Sequence, residues 1–305
     1  MKAKTKKKKM YKGRVFFLLF CILPPLLHFM IFYIFPNISS FFMAFTDVEG
    51  EISFDNFVRL YKEISNPDSD LRIGLKNTAI TFGLMVITFP FKVLVSYFIY
   101  KNVPGSKFYR IVFFLPSIIF SVAVALLFQQ FVGVDSFIAE WVQKANVLGY
   151  VPDLLADSDY ANKVILLNML WLCFPGDLII WGGTFARIPE DVLESGKIDG
   201  VTWWTEFTQI IVPMVWPTVA LQMVLLACGF FGASGNVFLL TRGQYGTMTF
   251  AAWQYLQLFE YSGSRFSSNI YNYLSAVGLV TTVIAIVISV TVRRFANKAF
   301  EEVEF

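Results

Sequence analysis

The stretch Ile188-Pro-Glu-Asp-Val-Leu-Glu-Ser-Gly-Lys-Ile-Asp-Gly-Val-Thr-Trp-Trp-Thr-Glu-Phe-Thr-Gln-Ile-Ile-Val-Pro213 is a polar interruption in an otherwise apolar chain. Its spacing predicts two short helices around a turn. Pro189 suits a first helical turn, where its missing N–H costs nothing, and Glu190 and Asp191 complement the positive end of that helix. Gly200 is a stop signal. Thr202 can cap a second helix in which Trp203, Phe207, Ile210 and Ile211 recur at i, i+4, i+7 and i+8, a single apolar stripe. Pro213 and Pro217 mark the end of this helix and the start of the next apolar run. A hairpin with an aromatic stripe reads as a surface built to meet another protein; the alternative is that the stripe packs on the chain's own helices.

On either side of this hairpin the sequence is built for lipid. Of 305 residues, 56% are hydrophobic, 34 are Phe and only 15% are charged, against roughly 25% charge in an ordinary soluble domain. That composition excludes a typical water-soluble enzyme and a disordered or collagen-like chain. A hydrocarbon core of about 30 Å needs about 20 helical residues. Six stretches meet or approach that length: 15–35, 73–100, 108–132, 164–186, 214–240 and 270–292. The expected fold is therefore an all-α integral membrane protein with six transmembrane helices and the hairpin between the fourth and fifth. Its divisions are a basic tail over 1–14, the first helix and an outer loop over 15–72, a five-helix core over 73–292 containing the hairpin 188–213, and a second tail over 293–305.

Lys and Arg positions give the orientation. Sixteen fall on the side of the N-terminal tail, including Lys101, Lys107, Arg110, Arg187, Lys197, Arg293, Arg294 and Lys298, and eight on the other, including Arg59, Arg72, Lys163, Arg242 and Arg265. The richer side is cytoplasmic, and six spans put both termini there. The opposite loops are acidic, with Asp47, Glu49, Glu51, Asp55 and Glu63 in the first and Asp135, Glu140, Asp153 and Asp157 in the second, and read as solvated faces. The lysine tail serves topology and attraction to anionic lipid rather than nucleic acid, because no aromatic or folded platform accompanies it. The first run is longer than a signal h-region and Phe35, Pro36 and Asn37 offer no cleavage site, so it is expected to be retained. Pro24 and Pro25 are expected to kink or break it. Cys21, Cys173 and Cys228 sit in apolar runs and read as buried, reduced residues, and His28 as a packed helix residue.

The hairpin resembles the cytoplasmic EAA loop of permease subunits of binding-protein-dependent ABC importers. Glu194, Ser195 and Gly196 stand at the Glu-Ala-Ala positions, Asp199 and Gly200 form the Asp-Gly turn, and Ile210 and Pro213 close the pattern. Both alanines are replaced by other small residues. Further agreement with the sugar-transporting branch comes from Asn77-Thr78, Tyr109-Arg110 with Phe114-Leu115-Pro116, Leu240-Thr241-Arg242-Gly243, Thr247, Thr249, Tyr273, Ser275 and Ala276. Where the family often has Gly-Gly-Pro, this chain has Gly243, Gln244 and Tyr245.

The resemblance implies a type I importer fold in a bacterial plasma membrane. It also implies a second permease as partner in a heterodimer, two cytoplasmic ATPase subunits, an extracytoplasmic substrate-binding protein and a sugar or oligosaccharide substrate. In that family the loop is a coupling helix seated in a cleft of the ATPase, a role that falls here on Glu190, Glu194, Ser195, Gly196, Asp199, Gly200, Trp203, Phe207, Ile210 and Pro213. No phosphate-binding loop of the GxxxxGK[ST] kind is present, so ATP and Mg are expected in the partner ATPase and no cofactor in this chain.

Ionisable groups at membrane depth cost on the order of 2.5–3.5 kcal/mol and face bundle interiors. Lys92 and Asp177 are such groups; the open readings are that they pair across two helices, that each lies near a substrate cavity, or that Lys92 snorkels to lipid headgroups. Asn168, Trp171, Gln222 and Asn236, together with Trp253 and Gln254, offer the amide and aromatic surfaces that sugars bind. An ion-gradient-driven secondary transporter is the rival reading, and Asp177 is the carboxylate on which it would rest.

Overall fold

The computed structural model describes residues 12–47, 49–133, 136, 140, 144, 153–172, 177–259 and 268–299. Asp135, expected in the second outer loop, the basic residues of 1–11, Arg265 and Cys173 lie outside them. Among the described residues, five helices are long and apolar enough to cross a membrane, and six if one bent pair counts as a single span. The helices are α1 (Lys12–Phe29), α2 (Phe35–Ala44), α3 (Asp55–Ser65), α4 (Asp70–Tyr100), α5 (Ser106–Ile118), α6 (Ser121–Val132), α7 (Ala161–Leu172), α8 (Asp177–Phe185), α9 (Glu190–Ile198), α10 (Trp203–Thr205), α11 (Val212–Cys228), α12 (Val237–Leu240), α13 (Phe250–Phe259) and α14 (Ser268–Ala299).

The chain divides into two compact units. The first comprises residues 1–60 and 265–279. Here α1 and α2 are joined by a π-helical turn, Met30–Ile34, into one apolar span. Of the expected kink or break at Pro24 and Pro25, the break does not occur: α1 runs through both prolines. Cys21 and His28 are exposed in the chain, not buried, the His28 ring lying 4.9 Å from that of Phe32. An apolar sequence does not reveal whether a side chain faces lipid or protein. The loop after α2 is held by Asn272, whose amide donates to the Thr46 and Asp47 carbonyls at 3.0 and 2.9 Å, and by Asn56, which donates to those of Ala44 and Thr46.

The second unit, residues 61–264 and 280–305, contains the hairpin. Helix α4 is about 46 Å long at 1.5 Å per residue, and much of this unit is fastened to it. At its start Gly74 lets the 249–250 backbone approach, since a Cβ there would sit 3.2 Å from the Phe250 nitrogen. Asn77 donates to the Gly246 and Met248 carbonyls at 2.8 and 2.7 Å, and the Thr78 hydroxyl accepts from the Phe250 N–H at 2.9 Å. Near its end Val93 and Tyr97 join Trp181, Phe185, Ile188, Phe207, Ile211, Val215 and Val219 in one buried cluster. That cluster ties α4 to α8 and to both arms of the hairpin.

Two expected spans differ in form. The third is α5 and α6 meeting at a bend of 100°. Ile119 and Phe120 are both extended (ψ 138° and 131°), and Pro116 removes a ladder donor just before them. The fifth runs over Trp203–Cys228 rather than 214–240. Gly229, Gly232 and Gly235, the last with φ +54°, end it before Leu240.

Asn77→Ala removes a part-buried donor from two carbonyls that have no helical partner, so it is expected to destabilise the fold by about 2 kcal/mol. Thermal unfolding of the detergent-solubilised protein reads this as a lowered Tm.

Candidate functional site

The hairpin forms as the sequence predicts in its first arm and differently in its second. Helix α9 ends in a Schellman turn. The Gly200 N–H donates to the Lys197 carbonyl at 3.2 Å and the Val201 N–H to that of Gly196 at 3.0 Å, with Gly200 at φ +71°. Thr202 then caps the second arm, its hydroxyl accepting from the Thr205 N–H at 3.3 Å. The arms approach closely at Gly196, where a Cβ would lie 3.2 Å from Ile210 Cδ1.

The second arm is not a separate short helix. Trp203–Thr205 runs through a π-helical turn, Glu206–Ile211, directly into α11. Pro213 does not end it. The Val212 N–H reaches back five residues to the Phe207 carbonyl, and this wider turn relieves the proline ring of the carbonyl it would otherwise meet. The aromatic stripe also divides. Phe207 and Ile211 are buried among Tyr97, Trp181 and Phe185, so this half packs on the chain's own helices, whereas Trp203 is 51% exposed.

What the hairpin presents outward is an acidic face with apolar residues beside it. Glu190, Asp191, Glu194, Ser195 and Asp199 are exposed, next to Ile198 at 86% and Trp204 at 54%.

Glu206 is the site residue whose partners sequence reasoning missed. It is buried at 7% exposure. Its Oε1 accepts from the Tyr97 hydroxyl at 2.9 Å, its Oε2 from Lys101 Nζ at 2.5 Å, and Lys101 Nζ also donates to the Tyr97 hydroxyl at 3.1 Å. Burial alone would lower the Lys101 pKa, but the hydrogen bonds it donates to Glu206 and Tyr97 outweigh it and hold the ammonium above its ordinary value. The available signal was position: Glu206 lies three residues after Trp203 and four before Ile210, on the apolar face of its own helix.

Four of the polar candidates form two separate pairs. Lys92 Nζ lies 3.0 Å from Asp177 Oδ2, linking α4 to α8. Asn236, at the start of α12 and not inside a span, donates to Asn168 Oδ1 at 3.1 Å, and Asn168 is fully buried with its Nδ2 unpartnered. Trp171 is half-exposed and stacks at 6.1 Å on Phe128; Gln222 and Gln254 are half-buried; Trp253 is buried against Phe250 and presents no face. Cys228 is exposed, with Sγ 3.2 Å from the Ser289 hydroxyl, contrary to the expected burial.

Residues 92–301, which include both ion pairs and the whole hairpin, match the family described as binding-protein-dependent transport system inner membrane component. The chain belongs to that family. It is thus a multi-pass membrane permease, a transport component and not an enzyme. It is similar to a probable starch degradation products transport system permease protein, AmyD, of Thermoanaerobacterium thermosulfurigenes, at 24% identity over 80% of this chain and 83% of that one. It is also similar to a multiple sugar-binding transport system permease protein, MsmF, of Streptococcus mutans, at 23% identity over 92% and 94%. Among solved structures, a bacterial ABC transporter involved in import of the acidic polysaccharide alginate shares the permease's fold, with TM-score 0.79, 23% identity and coverage of 94% and 97%.

Two outcomes follow for this permease. Lys92→Met leaves the Asp177 carboxylate uncompensated at membrane depth and is expected to cost about 3 kcal/mol, with Lys92→Met/Asp177→Leu recovering most of it in thermal melts. The Lys101 contribution is expected in full below the ordinary lysine value of 10.5 and to be lost as pH rises through the raised folded value. Unfolding measured across alkaline pH should lose that contribution in wild type and not in Lys101→Met.

Proposed function

We propose that this permease is one half of a heterodimeric membrane pore of an ATP-driven importer for a sugar or oligosaccharide, and that the hairpin 188–213 is the seat of a cytoplasmic ATPase. One observation carries the reading: the rigid turn at Gly200 and the close packing of Gly196 on Ile210 hold an exposed acidic face beside exposed Ile198 and Trp204. Such a surface suits a partner with basic groups around an apolar cleft, and the acids would gain from a partly desolvated interface. The sixteen-to-eight division of Lys and Arg supports a cytoplasmic hairpin and cytoplasmic termini.

The names of the relatives support a carbohydrate substrate, and the alginate transporter solved with a pentasaccharide-bound periplasmic protein supports delivery by a substrate-binding protein. Two ATPase subunits, each with ATP and Mg, would close together and drive both hairpins, rocking the helix bundles between inward-open and outward-open states. Lys92, Asn168, Trp171, Asp177, Gln222 and Asn236 form no single saccharide site, which fits a pathway completed by the second permease. Asp177, the carboxylate that an ion-gradient mechanism would use, is engaged by Lys92.

Glu194→Lys places a cation on the proposed seat and is expected to abolish co-purification of the ATPase and uptake together. Wild-type uptake by an intact complex carrying that change would overturn the assignment. The cognate binding protein, titrated with maltooligosaccharides, arabinooligosaccharides and alginate oligosaccharides, is expected to bind one class at least tenfold more tightly, about 1.4 kcal/mol.

A further inference from the structure

We infer that Glu206, Lys101 and Tyr97 form the joint that makes α4 move as one body with the hairpin, so that Glu206 and Lys101 are positioning residues for energy coupling. The inference rests on reading the hairpin as the ATPase seat.

The chemistry of the joint is costly unless it has a directional purpose. A carboxylate at 7% exposure incurs several kcal/mol of desolvation, and well-packed apolar residues would hold the same elements together at least as well. What an apolar contact does not supply is register. Here both carboxylate oxygens are occupied, and the two donors also bond each other, closing a three-way ring. The ring fixes the first residue of the π-helical turn against the last turn of α4. The joint therefore braces the place where the second arm departs from regular helical geometry.

Helix α4 is also tied to the other arm. Lys92 pairs with Asp177 at the start of α8, and α8 leads through the buried Ile188 into α9. Gly196 against Ile210 joins α9 back to the second arm. The result is a closed circuit of α4, α8, α9 and the π-turn. Its two ion pairs stand nine residues, about 14 Å, apart along α4. A push on the exposed acids of α9 is then passed to α4, because α8 on one side of α9 and the π-turn on the other are each held to α4 by an ion pair.

The test uses the importer assembled with its partner subunits, with Cys21, Cys173 and Cys228 replaced by Ser. Spin labels are placed through Gln209→Cys on the second arm of the hairpin, away from the acidic face of the seat, and Lys76→Cys near the far end of α4, both exposed positions. The label-to-label distance is expected to be narrow and unchanged between nucleotide-free and ATP–vanadate-trapped states. In Lys101→Met it should broaden about twofold or differ between the two states, as two bodies moving independently require. The exchange Lys101→Glu/Glu206→Lys should narrow it again. Tyr97→Phe keeps the packed ring and removes one hydroxyl, so it should give an intermediate width in a folded protein. An unchanged distance in Lys101→Met and Tyr97→Phe, or no narrowing in the exchange, overturns the joint. ATPase retained by Glu194→Lys would instead overturn the seat; ATPase lost there with unchanged distances in Lys101→Met overturns the joint alone.

Discussion

Within a bilayer no water is available to the backbone, so each N–H and C=O of a span has to be satisfied by the chain itself. This requirement decides how the permease accommodates its prolines. A proline removes one donor and presses its ring on the carbonyl four residues back. At Pro36 and Pro213 the answer is the same: a π-helical turn just precedes the proline, and the last N–H before it, from Phe35 or Val212, reaches five residues back to Met30 or Phe207. The helix stays continuous through the proline. Where two extended residues follow instead, at Ile119 and Phe120, the helix breaks and the chain turns through 100°.

The same requirement makes α4 the organising element of its unit. Its N-terminal half uses side chains to satisfy a non-helical segment, with Asn77 and Thr78 supplying bonds that the 246–250 backbone lacks. Its C-terminal half uses charge, with Lys92 and, just beyond its end, Lys101 engaging carboxylates on two different neighbours. Polar groups in this unit thus act chiefly as attachments between helices. That explains why four of the candidate sugar-binding residues engage one another, Lys92 with Asp177 and Asn236 with Asn168, and do not form a saccharide cradle.

Much of the fold was legible in the sequence because length and hydropathy respond to bilayer thickness. The first arm of the hairpin was legible too, since Pro189, Gly200 and Thr202 act locally: the Schellman turn and the cap involve residues within five positions of one another. The rest depended on long-range geometry. Apolar runs do not reveal which face meets protein, so Cys21, Cys228 and His28 read as buried and are exposed. Nor does Pro213 announce whether a π-turn will absorb it. The partners of Glu206 lie more than a hundred positions away in sequence, and its place on an apolar helix face was the one local sign that a partner existed.

The departures from the family pattern at the hairpin are consistent with this division of labour. Glycine at 196 costs about 1 kcal/mol of helix propensity relative to alanine, and its own surroundings show the return: Ile210 fills the space where a methyl group would stand. With Ile210 seated there, Phe207 and Ile211 lie in the core while Trp203 and Trp204 stay outside. Glu206 is buried with the core-facing residues, next to Phe207, and a buried carboxylate requires the cation that Lys101 supplies. A small residue in the first arm and an ion pair at the base of the second thus serve one end, a second arm packed closely on its neighbours.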